Sequence, residues 1–327
     1  MKKSFLGLGL AVGALLATLG PVPSARAQQG KGGKAPDNDI HILKVQGNVY
    51  MLVGPSSNST LQIGDSGVLL VDTQTQQVSD KIVAAIRTLS DKPIRYIINT
   101  SVDLDHTGGN ENLAKIGAPV VGGNLGGANR GAAIIATENL QIRMNAPNSK
   151  EAPPFSGGRP TTTYFEGQKE LFFNGEGIQV MLAPAAHTDG DSIVYFRRSD
   201  VISAGDVFLT TTFPVIKTDE GGTVNGVIAA LNHILDIAIP EHEQEGGTYI
   251  IPGHGRLCDE HDVLEYRDMV TIVRNRVREM IKKNMTLAQV KAANPTLEYN
   301  PRYGSTTGPW TTDMFVEAVY NSLSTKK

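Results

Sequence analysis

The sequence predicts an α/β protein built as a four-layered αββα sandwich. Two observations carry that expectation. Strand patterns come first and helical patterns follow, and the same order then returns in the second half of the chain. The halves share element order without a convincing internal sequence repeat.

The first 27 residues read as an export signal. Lys2 and Lys3 form a positive start, residues 5–19 form an apolar run too short for a membrane span, and Ala25-Arg26-Ala27 offers a small-x-small cut after Ala27. A periplasmic or secreted location is expected, with an uncleaved anchor helix as the competing reading. Of the 30 basic residues, Lys2, Lys3 and Arg26 lie in this segment, which leaves 27 basic against 33 acidic side chains and a mature charge of −6. That balance argues against nucleic-acid binding by bulk charge. No later stretch is apolar enough to span a bilayer, so no stable membrane span is expected after cleavage. Residues 28–38, rich in Gly, Lys and Gln, read as a linker. Residues 39–327 form the expected domain, ending in a mainly helical segment from about residue 259.

Within that domain HILKVQGNVYMLVG reads as a hairpin turning at Gly47-Asn48, and STLQIGDSGVLLVDT as two more strands around Gly64 to Gly67. An amphipathic helix is expected at residues 78–88, then the buried strand IRYIINT, then a helix near residues 111–115. APVVGG resembles a strand, residues 122–131 a glycine-rich loop, residues 132–145 a helix and residues 146–163 a long surface loop. KELFFN, GIQVMLA, SIVYFRR and VISAGD read as strands, residues 224–238 as a helix and TYIIPG as a strand.

The chain has one cysteine, Cys258, so an intramolecular disulfide is impossible and buried packing is expected in preference to a nucleophilic role. Of seven histidines, three follow apolar strands directly: His106 in IINTSVDLDHTGG, His187 in VMLAPAAHTDGDS and His254 in YIIPGHGRL. Asp206 in VISAGDVF has the same setting. Loops at strand ends are where a rigid scaffold presents functional groups. Asp103, Asp105 and His106 place three potential ligands within four residues, and a cation is the natural counter-charge for close carboxylates. Asx-turn capping is the structural alternative for both aspartates.

NTSVDLDHTGGN resembles the metal loop of the metallo-β-lactamase superfamily, His-x-His-x-Asp-His followed by Gly-Gly. AHTDGDS, AGD and PGHG resemble that family's later metal segments and occur in the same order. The resemblance implies a two-metal hydrolase with an activated water. Asp105, His106 and His254 would hold one ion, His187 would help hold the other, and Asp206 would bridge them. Zinc is the family's usual ion. Ser101 and Asp103 stand where the pattern has its first two histidines. The variant site, with Asp103, His187 and Asp206, is oxygen-rich and could admit iron or manganese. Asp103 and Asp105 are also the candidate water-orienting groups.

The expected function is hydrolysis of an ester, lactone, thioester or amide bond in a small molecule, a β-lactam among the candidates. An iron-dependent redox enzyme and a non-catalytic metal-binding protein are the alternatives. Asp191 and Asp72 are candidates to orient ligand groups. Tyr303 and Trp310 are candidates to line a pocket, with packing the favoured reading for both, and the remaining histidines are expected to pack or face solvent. Neither the substrate nor the oligomeric state can be read from the residues.

Overall fold

The computed structural model describes residues 37–120, 131–146, 158–242 and 246–324. All of these belong to the second of the two units into which the chain divides, Asp37–Lys327. The export segment, nearly all of the linker, nearly all of the glycine-rich loop and most of the expected long loop lie outside the described residues.

The first half opens as an antiparallel meander, β1 (His41–Gln46), β2 (Val49–Val53), β3 (Asn58–Gly64) and β4 (Gly67–Val71). It continues as parallel strands β5 (Ile94–Ile98), β6 (Ala133–Thr137) and β7 (Thr162–Tyr164), giving a seven-stranded sheet in sequence order. Helices α1 (Ser79–Leu89), α2 (Leu104–Thr107), α3 (Asn110–Ile116) and α4 (Glu138–Asn145) lie in its crossovers, as parallel neighbours require. The second half forms a five-stranded sheet from β8 (Gln168–Phe173), β9 (Glu176–Ala183), β10 (Asp191–Phe196), β11 (Val201–Leu209) and β12 (Tyr249–His254). Only β11 and β12 pair in parallel there, joined through α5 (Val224–Ile237). Helices α6 (Glu260–Lys282), α7 (Leu287–Ala292), α8 (Asn300–Tyr303) and α9 (Thr312–Ser324) complete the chain.

Strand alternation explains the layering. On β4, Leu69 and Val71 face the second sheet, while Val68 and Leu70 pack against Ile82 and Ile86 of α1 and Leu113 of α3. On β10, Val194 and Phe196 face the first sheet, while Ile193 and Tyr195 join the layer containing α5, α6 and α9. Strands buried on both faces read as continuous apolar runs, and the result is helices, sheet, sheet, helices. Among the described residues no helix is long and apolar enough to cross a membrane.

Three expectations fail in the middle of the chain. Residues 132–145 are not one helix: Ala133–Thr137 is strand β6, and only Glu138–Asn145 is helical. The run AIIAT sits between β5 and β7, where its side chains are buried on both faces, and this tertiary setting outweighs the helix propensity of its alanines. Thr137 marks the boundary, because its hydroxyl accepts from Leu140 N at 3.2 Å as the N-cap of α4. Of the expected strand APVVGG, residues 118–120 are not in a strand, and residues 121–123 lie outside the described residues. Thr162–Tyr164 within the expected loop is an edge strand.

Cys258 is buried, 3% exposed, in the core beneath α5 and α6. Burial, reinforced by Asp262, pushes its thiol up to about 12. We expect native protein at neutral pH to resist thiol-alkylating reagents and to react fully once unfolded. Mass spectrometry of labelled protein checks this, and rapid native labelling would contradict it.

Candidate metal centre

Strand ends from both sheets meet on one rim. Beyond β5, Asp103 takes the N-cap position of α2, yet its side chain makes no capping bond. It points instead toward His187, with Oδ2 3.1 Å from Nε2. Asp105 and His106 follow in the first turn of α2. His187 lies in the turn after β9, Asp206 sits within β11, and His254 ends β12. The six side chains singled out from the sequence therefore share one site.

Local backbone features aim them. Gly205 has φ +53°, and a Cβ there would overlap the Thr100 side chain, so glycine is needed for β11 to pass the β5 loop just before Asp206. Asp72 adopts φ 62° at the end of β4. Its carboxylate accepts from Thr100 N at 2.8 Å, Thr100 Oγ1 at 2.5 Å and His106 Nδ1 at 2.8 Å. His187 Nδ1 donates to Val215 O at 2.7 Å. The outer nitrogens of both rings are thus engaged, which fixes tautomer and orientation and leaves Nε2 directed inward. Among the described residues Asp191 makes no hydrogen bond to a ligand histidine, although its charge helps raise the His187 ring. It accepts from Thr188 N at 2.8 Å and Thr188 Oγ1 at 2.6 Å and closes the loop carrying His187.

At the centre, every inward Nε2 meets a carboxylate oxygen. His106 Nε2 lies 3.1 Å and His254 Nε2 3.4 Å from Asp206 Oδ1, and His187 Nε2 lies 3.7 Å from Asp206 Oδ2. Asp105 Oδ2 is 3.2 Å from His254 Nε2. A neutral imidazole whose N–H is already committed presents a lone pair, and a lone pair facing a carboxylate is repulsive. The space between must hold a proton or a metal ion.

The electrostatics agree. Burial opposes charge on His187 and His254, but Asp103 and Asp206 around the first, and Asp105 and Asp206 around the second, lift each ring to about 9. Burial likewise opposes charge on His106, and Asp206, Asp72 and Asp105 still raise it well above its ordinary value. Burial would raise the Asp206 carboxyl, yet His106, His254 and His187 hold it well below the usual range.

The donors fall into two groups, Asp105 with His106 and His254, and Asp103 with His187 and Asp206; within each, ligand atoms lie within 4.8 Å of one another. One oxygen of Asp206 faces each group, the geometry of a shared carboxylate. Imidazole and carboxylate donors at this spacing suit a divalent transition ion. The first group fits without competitors. In the second, Lys217 Nζ is ion-paired with Asp103 Oδ1 and lies 3.5 Å from Glu220 Oε1. Ser101 is fully buried, and its Oγ accepts from Asp103 N at 3.3 Å.

A cavity of about 340 Å³ opens over the site, lined by every donor except the fully buried His106, together with Thr211, Thr212, Val215, Pro309 and Trp310. A second cavity of about 600 Å³ shares His254 and Thr211 and reaches Leu43 and Arg256. Trp310 lines the site instead of only packing, and its buried indole N–H has no partner among the described residues. Tyr303 packs in the core against Phe213 and Tyr266, as expected.

Residues 52–254 match the sequence profile of the metallo-beta-lactamase superfamily. The chain belongs to that superfamily. Similar solved structures include the inverting sec-alkylsulfatase Pisa1 from Pseudomonas sp., with 16% identity and a TM-score of 0.60. That match covers 86% of this chain and 50% of the other, so the chain spans about half the length of that alkylsulfatase. A metallo-beta-lactamase from Pontibacter korlensis shares 16% identity at a TM-score of 0.54, covering 71% of this chain and 99% of the other. DIM-1 metallo-beta-lactamase shares 18% identity at a TM-score of 0.51, covering 71% and 97%. No curated protein matches in sequence. The superfamily and these neighbours are hydrolases, and superfamily members typically hold divalent metals. At these identities the neighbours establish the fold of this superfamily member, and the chemistry rests on its own residues.

Lys217 is the charged site residue that sequence reasoning missed, while for Trp310 the sequence offers a pocket role but favours packing. Nothing in FPVIK distinguishes Lys217. The only tryptophan, in a Gly308-Pro309 loop, is a usable signal.

Proposed function

We propose that this superfamily member is an exported, metal-dependent hydrolase of small molecules carrying an ester-type or amide-type bond. The observation that carries the reading is the shared carboxylate of Asp206, facing three inward imidazole nitrogens from separate strand ends. Asp103, Asp105, His106, His187, Asp206 and His254 are the proposed ligands, with zinc the ion their chemistry favours. A divalent ion held there lowers the pKa of a water to about 7 and polarises the bond under attack.

The chain's own residues set the rest. Asp72 and Val215 O hold His106 and His187 in the tautomers that direct Nε2 inward. Asp105 and His254 are the most exposed of the donors, each side chain 30% accessible, so substrate approaches on their side. Asp105 and Asp103 are the proposed water-orienting groups, and their carboxylate oxygens, 3.2 Å from His254 Nε2 and 3.1 Å from His187 Nε2, support that role. Val215, Pro309 and Trp310 give the cavity an apolar wall that sheds water, while Thr211 and Thr212 offer hydroxyls to a polar substrate group. Lys2, Lys3, the apolar run and Ala25-Arg26-Ala27 support export to the periplasm or beyond.

The test pairs metal analysis of the purified protein with a hydrolysis panel of esters, lactones, thioesters, β-lactams and alkyl sulfates. Stoichiometric zinc and turnover of one class, abolished in Asp105→Ala, are expected. Stoichiometric iron without hydrolysis, or no bound ion, overturns the proposal.

A further inference from the structure

The geometry points to a one-ion centre in which the Lys217 ammonium supplies the charge that a second metal would otherwise bring. The inference rests on the metal-dependent reading above and deepens it.

Three features of the second donor group support it. Its only terminal carboxylate, Asp103, has Oδ1 committed to Lys217 Nζ, so its charge is already answered. Its other carboxylate, Asp206, is shared with the first group. The position that could add a further imidazole holds Ser101, whose hydroxyl is bonded to the Asp103 backbone. One imidazole then remains unshared, His187, which is a sparse donor set for a transition ion.

The lysine is built into the site. Lys217 N donates to His187 O at 2.9 Å, and two residues earlier Val215 O accepts from His187 Nδ1. One short segment therefore orients His187 and delivers the ammonium beside it. Glu220 Oε1, 3.5 Å from Nζ, holds the side chain from behind. Repulsion points the same way: a second divalent ion bound at Asp103 would sit beside the fixed positive charge of Lys217.

The experiment counts ions on the full chain, by elemental analysis after equilibration with excess zinc and by titration with cobalt followed through its absorption spectrum. Wild type and Lys217→Arg are each expected to hold one ion. Lys217→Met, which keeps the side chain's bulk without its charge, is expected to take up a second, with a second cobalt absorption band. Circular dichroism confirms that each variant is folded. Two ions in wild type overturn the inference, as does a folded Lys217→Met protein that still holds one. No ion in wild type sinks this inference and the metal-dependent reading together. One ion with no hydrolysis across the panel leaves it standing and sinks only the hydrolase reading.

Discussion

Replacing Asp206 with asparagine is expected to strip the protein of its ion and its hydrolytic activity. The change keeps the side chain's size while removing the charge that faces His106, His187 and His254. It also puts an NH2 where one of the inward imidazoles or a metal needs an acceptor. Loss of an outer partner alone costs roughly 10–100-fold in metal affinity, and a shared ligand should cost more. Elemental analysis and the rate on whichever substrate the panel identifies are the readouts, and unchanged metal content would refute the assignment. The metal-free protein offers a second readout. His187 has a folded-state pKa of about 9 against an ordinary 6.5. Its pairing therefore stabilises the metal-free fold fully below pH 6.5 and is lost as pH rises through about 9. Asp206→Asn should flatten that slope in chelator-treated protein, measured by thermal unfolding across the same window.

The second large effect lies behind the site. Phe315 of α9 is fully buried and stacks on Phe213 with ring centroids 4.7 Å apart and an interplanar angle of 4°. Phe213 in turn meets Tyr303, and Tyr303 meets Tyr266 of α6. Tyr266 also meets Phe208 of β11, with centroids 5.3 Å apart, so this aromatic chain fastens the C-terminal helices to the five-stranded sheet, and the loop carrying Pro309 and Trp310 enters α9 from the cavity wall. Phe315→Ala is expected to destabilise the protein by about 3–5 kcal/mol, read from denaturant unfolding. Because the same helix positions Trp310, substrate binding should weaken as well, with KM rising more than kcat falls. A loss below about 1 kcal/mol would show that the aromatic cluster collapses to fill the gap.

Much of this architecture is legible in the sequence, for identifiable reasons. Asp103, Asp105 and His106 stand together in the chain, so their shared purpose is local information. His187 follows and His254 ends an apolar strand, Asp206 lies inside one toward its C-terminal end, and strand ends of a layered α/β fold meet on a common rim. Lys217 has no such mark. Its partner Asp103 is 114 residues away, and only the folded chain reveals that the segment orienting His187 also carries an ammonium. Strand β6 is hidden for a related reason. Ala133–Thr137 runs into α4 with no glycine or proline between them, and only burial between two neighbouring strands separates the two conformations. Asp103 is equally suited to capping, and the distinction between cap and ligand lies in a side-chain direction that sequence does not encode.

The division of labour between the sheets has a mechanical side. Asp103, Asp105 and His106 hang from the seven-stranded leaf, and His187, Asp206 and His254 from the five-stranded one. The backbone passes from the first leaf to the second just once, between Tyr164 and Gln168. An ion gripped from both leaves would therefore act as a rivet in addition to that single covalent hinge. The atom that performs the chemistry would also set how firmly the two leaves stay shut.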